Sequence, residues 1–286
     1  MMKHSFANLP EIPSTRGDDL HNIEYMNDAD LVLFMAGNQF MVMHDLLEEF
    51  RNIHPDIKKI FYETLPPGLE LKQILAGGAV FRDKIINTVP DIYTSVTEEA
   101  MKELSINGLV SMYSVYLHNR LVLMVPGGNP AGIKNVTDLG RDEIRVSQPG
   151  SMEDISHYIY DMYKDAGGDE LLKRIIEEKR AEGTTILTVV HHRETPLRII
   201  KGTVDVGPVW ATEIAHAVNE GLKVEAVEPG AEMDQRDKVN YFIAKLKRGS
   251  NPENADKFLD FITSRSGQNI YLHHGFVPHE RQDTEG

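Results

Sequence analysis

The sequence predicts a two-lobed α/β fold. Three observations point to it. Short apolar runs stop at glycine, proline or small polar residues; amphipathic segments of helical period lie between them; and the alternation starts a second round after residue 119. Strand and helix in alternation imply parallel sheets covered by helices. The expected division is a polar N-terminal arm over residues 1–28, a first lobe from 29–118 with 247–286, and a second lobe from 119–246. The chain is expected to cross near Arg120 and again near Ala244, so that the C-terminal helix returns to the first lobe.

The arm carries Pro10, Pro13 and Gly17 with scattered charge and no periodicity, which predicts an extended, partly unordered segment. Leu31 to Met35 is a continuous apolar run ending in Ala36-Gly37-Asn38, the pattern of a strand buried on both faces and then a turn. Met43, Leu46, Leu47 and Phe50 then repeat at helical spacing. The pattern recurs with a strand at Ile57 to Tyr62 and a helix after Pro66-Pro67-Gly68. It recurs again with a strand at Asp91 to Tyr93 and a helix carrying Ala100, Met101 and Leu104. The second round opens with a strand at Leu121 to Val125. Strands at Ile144 to Val146, Thr185 to Val190 and Val204 to Val206 follow, with helices at Ile155 to Ile159, Leu171 to Ile176 and Leu197 to Ile200. Ser151 to Asp154 resembles a capping box. The charged run Glu177 to Arg180 reads as a solvated face. Tyr241 to Ala244 is a last strand, and Ala255, Phe258, Leu259 and Ile262 line one long final helix.

Composition narrows the function. The chain has 286 residues, 41% of them hydrophobic, enough for two proper cores. Its net charge of −14 opposes binding to nucleic acid or anionic membranes, which need clustered Lys and Arg. The same charge repels an anionic ligand at long range, so capture of one must rely on short-range donors. The absence of cysteine excludes disulfides, thiolate metal sites and cysteine nucleophiles. No apolar run approaches the length of a membrane span. Residues 1–30 lack the apolar core of a signal peptide, which leaves open a cytoplasmic protein and an exported one whose signal has been removed.

Ligands of open α/β sheets bind beyond the carboxyl ends of the strands. In the first lobe that rule singles out the loops with Gly37, Asn38 and Gln39, with Pro67 and Gly68, and with Ser95. In the second it singles out Gly150 and Ser151, then His191 to Thr195, then Trp210 with Thr212 and Glu213. Backbone N–H groups at such loops, with a helix dipole behind them, hold anions without a formal positive charge. The bland reading of each loop is an N-cap or a turn. Arg193 either pairs with an oxyanion or braces the loop against Glu194. His191 and His192 are potential metal ligands, but adjacent strand residues face opposite ways, so no metal site is expected. Trp210, the single tryptophan, either floors a ligand site or belongs to the core. The hydrolase, zinc-protease and phosphate-loop motifs G-x-S-x-G, H-E-x-x-H and G-x-x-x-x-G-K-[ST] are absent, and no catalytic residue or cofactor is assigned.

Four segments carry a family resemblance. Pro90 to Ser95, Asn119 to Pro126, Gly202 to Trp210 with Thr212-Glu213, and Asn254 to Phe261 with Gly275-Phe276 resemble, in that order, segments of bacterial extracellular solute-binding proteins of ABC importers. The molybdate- and tungstate-binding branch is the most similar. The resemblance implies a type II periplasmic binding protein fold, two Rossmann-like lobes joined by a two-segment hinge. It implies a periplasmic or extracytoplasmic monomer that closes on a small oxyanion and passes it to an ABC permease, without chemistry on the ligand. The expected ligand contacts are Gly37, Asn38, Gln39, Pro67, Gly68, Ser95, Gly150, Ser151, His192, Arg193, Glu194, Thr195 and Trp210. The chain departs from the family where a serine usually stands at Asn38 and Gln39, where the usual glycine-serine pair is replaced by Pro66-Pro67-Gly68, and where a tyrosine usually stands at Trp210. The alternatives are a sensor for a small carboxylate or metal chelate, and a hydrolase with His192 as base oriented by Glu194.

Overall fold

The computed structural model describes residues 8–151, 153, 155–188, 194–230 and 233–279. The chain forms two compact units. The first takes the described residues up to Leu117, Asn240–Tyr271 and those from Pro278 on; the second takes His118–Val239 and Leu272–Val277.

The chain begins with β1 (Glu11–Ile12), β2 (Leu20–His21), β3 (Leu31–Phe34), α1 (Met43–Ile53), β4 (Ile60–Glu63) and α2 (Pro67–Ala76). A hairpin of β5 (Ala79–Phe81) and β6 (Lys84–Ile86) precedes β7 (Ile92–Ser95), α3 (Glu98–Ile106) and β8 (Val110–His118). Next come β9 (Leu121–Pro126), β10 (Val146–Gln148), α4 (Ile155–Lys173), α5 (Lys179–Ala181), β11 (Thr185–Leu187) and α6 (Glu194–Ile200). The chain continues through β12 (Gly207–Trp210), α7 (Ala211–Asn219), β13 (Val224–Val227), β14 (Asn240–Leu246), α8 (Pro252–Ile262), α9 (Arg265–His273) and β15 (Val277–Pro278).

The sheet of the first unit has the order β15-β8-β14-β7-β3-β4-β2. At its centre β3 lies parallel to β4 and to β7. All four residues of β3 are buried, which explains its unbroken apolar run. Met43, Leu46, Leu47 and Phe50 form the buried stripe of α1, and the Phe50 ring meets Phe258 of α8 edge-on at 5.2 Å. Proline opens α2 at its first turn, and Gly77 ends it in the left-handed region at φ 76°.

The second unit holds an antiparallel sheet, β12-β9-β13, and a parallel pair, β10 and β11. Val146 bridges to Val206, which sets β10 beside the start of β12. Val122, Met124, Ile199, Val209 and Ile214 pack together as its core. Arg145 and Asp205 tie its edge: the guanidinium meets the carboxylate at 2.7 Å, and the Arg145 N–H donates to the same group at 2.8 Å.

Several expectations need correction. Residues 8–28 are not a loose arm. β1 pairs with β5, β2 pairs with β4, and Ile12 is fully buried. Isolated anchors such as Ile12 leave no periodicity to read. The sheets are mixed, because β14 runs antiparallel to β7 with Phe242 opposite Ser95. That pairing puts Asn240–Leu246 in the first unit, whereas the sequence boundary at 246 assigned it to the second lobe. The final helix is two, α8 and α9, with Gly267 so close behind the break that a Cβ there would lie 2.4 Å from the Phe261 carbonyl. The run Glu177 to Arg180 is not wholly solvated either. Lys179 is fully buried, its ammonium donating to the carbonyls of Arg141 and Ile144.

Candidate functional site

In the first unit, β4, β3 and β7 are parallel neighbours, so their carboxyl ends open onto one edge. The loop after β3 is a tight turn, Gly37–Gln39. A Cβ on Gly37 would lie 2.8 Å from the Thr64 carbonyl oxygen and 3.0 Å from that of Leu65, so this turn rests on the backbone of the loop after β4. Gly37→Ala is therefore expected to force the two loops apart. It should lower unfolding stability by about 2 kcal/mol, as measured by chemical denaturation; an unchanged midpoint would show that the loops yield freely.

The predicted residues at this edge divide by what they touch. Gln39 is fully buried and its amide is engaged inside the protein. Its Oε1 accepts from the hydroxyls of Tyr116 and Tyr271, each at 2.7 Å, and its Nε2 donates to Thr94 at 3.0 Å. Burial pushes both tyrosine hydroxyls to higher pKa, so they stay protonated donors. Thr94 also accepts the Ala36 N–H at 2.8 Å, which pins the start of the turn. Asn38 differs. Its Nδ2 donates to the Tyr241 hydroxyl at 2.5 Å, while its Oδ1 is buried with no hydrogen-bond partner. At the next loop the Pro67 carbonyl accepts from the Tyr93 hydroxyl at 2.9 Å, and Gly68 faces open space. Ser95 is buried and accepts the Thr97 N–H at 3.1 Å.

In the second unit the ends of β10, β11 and β12 also share an edge, since β10 is parallel to β11 and to the bridge at Val206. The Gly150 N–H donates to Glu153 Oε1 at 3.0 Å and to Thr188 Oγ1 at 3.2 Å, and the Thr188 hydroxyl donates to the same carboxylate. Ser151 is exposed. Thr195 is buried, 2.9 Å from Ser147 Oγ. Glu194 accepts from Arg198 at 2.7 Å, and that guanidinium also donates to the carbonyls of Ile186 and Leu187 at 2.9 Å. His191, His192 and Arg193 lie outside the described residues. Trp210 is 2% exposed and meets the Tyr158 ring at 5.6 Å, so its indole belongs to the packed interior of this unit.

Sequence reasoning missed Tyr241, Glu153, Thr188 and Arg198. Tyr241 was hidden by its strand being assigned to the other lobe. Glu153 and Arg198 sit at helical offsets of three and four from Gly150 and Glu194, a spacing that helix capping and pairing make common. A cavity of about 480 Å³ lies elsewhere on the first unit, lined by Asn22, His44, Glu48, Arg51 and Tyr62 among others. His44 and Glu48 of this lining, together with Asp45, bring ligand atoms within 4.8 Å of one another, but all three are exposed, and the strand edges remain the better site on the rule for open sheets.

Two α/β units, each gathering loops at the carboxyl ends of its strands, have the architecture of type II periplasmic binding proteins. Residues 31–277 match the family described as bacterial extracellular solute-binding protein, and the chain belongs to that family. Solved structures agree on the fold. The periplasmic molybdate-binding protein of Azotobacter vinelandii superposes with a TM-score of 0.66 at 15% identity, covering 87% of this chain and 100% of its own. The sulfate-binding protein SubI of Mycobacterium tuberculosis H37Rv gives 0.67 at 16% identity, covering 88% and 87%. Iron-bound HitA of Pseudomonas aeruginosa gives 0.66 at 14% identity, again covering 88% and 87%. No curated protein matches the chain in sequence. No helix of the described residues is long and apolar enough to cross a membrane.

Proposed function

We propose that the chain is the solute-binding component of an ABC importer, working outside the cytoplasm as a monomer, and that its solute is a small oxyanion of the molybdate, tungstate or sulfate kind. One observation carries the choice of ligand. Asn38, at the turn after β3, has one carboxamide atom bonded to Tyr241 and the other buried without a partner. A carboxamide can turn over, because its oxygen and nitrogen ends are nearly the same shape. With Asn38 reversed, the Tyr241 hydroxyl donates to Oδ1 and the Nδ2 hydrogens are free for an oxyanion. Gly37 and Gly68 keep side chains away from the backbone on either side. Such neutral donors suit a chain whose net charge of −14 repels anions at long range. Relatives of the same fold named for molybdate and sulfate support the class.

The test is a thermal-shift and calorimetric panel of tungstate, molybdate, sulfate and phosphate at fixed salt. A ligand present at a hundred times its Kd should stabilise the protein by about 2.7 kcal/mol, with one site per chain. Absence of both shift and heat across the panel sinks the oxyanion assignment while leaving the family intact. The Glu153 carboxylate on the Gly150 N–H favours one variant reading, a solute that presents a proton or a metal ion to the second unit. Ferric citrate and divalent metals belong in the panel for that reason.

A further inference from the structure

Directly behind the first unit's edge lies a buried polar group that solute binding does not use. Glu63 ends β4, while Glu70 and Gln73 sit three residues apart on α2, and all three are at most 1% exposed. Each carboxyl receives one donor. Gln73 Nε2 donates to Glu63 Oε1 at 3.1 Å, and the Leu65 N–H donates to Glu70 Oε1 at 3.2 Å. The remaining oxygens, Glu63 Oε2, Glu70 Oε2 and Gln73 Oε1, are buried and without partners. The charged and titratable groups nearby do not neutralise them. Asp19 is itself buried, adds repulsion on Glu70 and is paired with Arg16 at 3.1 Å. His21, on β2 beside β4, is held toward its neutral form by burial. Lys72 of α2 is exposed, and the Tyr93 hydroxyl is turned to the Pro67 carbonyl. Among the described residues no lysine or arginine pairs with Glu63 or Glu70.

Two ionised carboxylates in such a place are prohibitively unfavourable without a counter-charge. Protons resolve the problem and account for two of the three orphaned atoms. A hydrogen on Glu63 Oε2, directed at Gln73 Oε1, closes a two-bond ring with the Nε2–H bond already present. Burial accordingly pushes the Glu63 carboxyl up to about 8 and the Glu70 carboxyl well above the ordinary range.

We infer that Glu63 and Glu70 are positioning residues for the solute edge, held as neutral acids that fix the loop from Thr64 to Pro67 against the Gly37 turn and release it on ionisation. The route is short. Glu70 accepts the Leu65 N–H, and the Thr64 and Leu65 carbonyls are the atoms that press on Gly37; ionisation strengthens that single bond, so release comes from the loop opening to hydrate two like charges that have no buried counter-charge. The inference rests on the proposed function only in treating that edge as the solute's; the lock itself does not depend on a solute. A carboxyl whose folded pKa is raised contributes stability that is fully present below its unfolded pKa, near 4.5, and is lost as pH rises through about 8.

The experiment compares the full chain with Glu63→Gln and Glu70→Gln from pH 5 to pH 9, by denaturant midpoint without solute and then by tungstate and molybdate affinity. The wild-type midpoint should fall across this range, and the fall should shrink in each variant. Glu63→Gln should keep the ring to Gln73 through its own amide, whereas Glu63→Ala should lose it and unfold more easily at every pH. Affinity for the anion that binds should drop about tenfold in the wild type between pH 6 and pH 9, and less than threefold in the glutamine variants. Parallel pH profiles for wild type and variants would overturn the inference. So would stoichiometric calcium or magnesium in the dialysed wild type that Glu63→Gln loses, since a cation would then do the neutralising. A midpoint that follows the expected pattern while no anion binds at any pH supports the lock and rejects the oxyanion reading.

Discussion

Asp91→Ala is expected to lower the unfolding stability of the first unit by about 3–5 kcal/mol, the range for leaving several buried donors unpaired. Asp91 is 1% exposed at the foot of β7 and gathers donors from two distant segments. Its Oδ2 accepts the Val32 N–H at 2.8 Å and Asn251 Nδ2 at 3.0 Å, and its Oδ1 accepts the Asn251 N–H at 2.8 Å. Bonds to an ionised acceptor are about twice as strong as neutral ones, and here three meet one carboxylate. The carboxylate thus fastens the start of β3 and the entry to α8 to the same point. Gly249 leaves room for it, since a Cβ there would stand 2.5 Å from Asp91 Oδ1. Asp91→Asn should behave nearly as badly, because one acceptor becomes a donor facing other donors. Urea denaturation followed by circular dichroism gives the answer, and a loss under about 1 kcal/mol for the alanine variant would contradict this account.

The second large effect is expected in the other unit. Lys179→Ala should cost about 3–4 kcal/mol, combining a cavity with two carbonyls, one of them in a buried bond, stripped of their donor. Lys179 is fully buried, and its ammonium bonds the carbonyls of Arg141 and Ile144. Those two residues bracket the segment that leads into β10. Lys179→Met keeps the stem and removes only the donor, so about half of the loss should remain. If the methionine variant proves as stable as the wild type, the ammonium does not anchor that segment. Burial, and after it the charge of Arg174, lowers the pKa of this lysine against the opposing pull of Glu182, Asp142 and Glu143.

The contrast between these residues shows what the sequence reveals. The stripe of α1 and the unbroken run of β3 were legible because burial repeats at fixed spacing, and the glycine and proline signals placed the edge loops correctly along the chain. Period alone cannot tell which sheet a strand joins. β14 has the composition of its neighbours in sequence, yet its partner is β7. Nor does composition separate a solvated charge from a buried one. Lys179 sits within a run of charged residues and is nevertheless enclosed. At the candidate site, Gly37, Asn38 and Gly68 could be located from turn chemistry. The partners that decide their roles come from far along the chain: Tyr241 for Asn38, and Tyr116 and Tyr271 for Gln39.

The place of β14 in its sheet also orders events in time. It lies between β7 and β8, although more than a hundred residues of the second unit come before it in the chain. A ribosome adding about 5–20 residues per second needs roughly ten seconds to pass from the end of β8 to the end of β14. Through that interval β7 has an unpaired edge, while strands β9 to β13 emerge one after another and are free to pair. The nascent chain therefore presents its first half as an unfinished surface until late in synthesis, the state that a chaperone can hold.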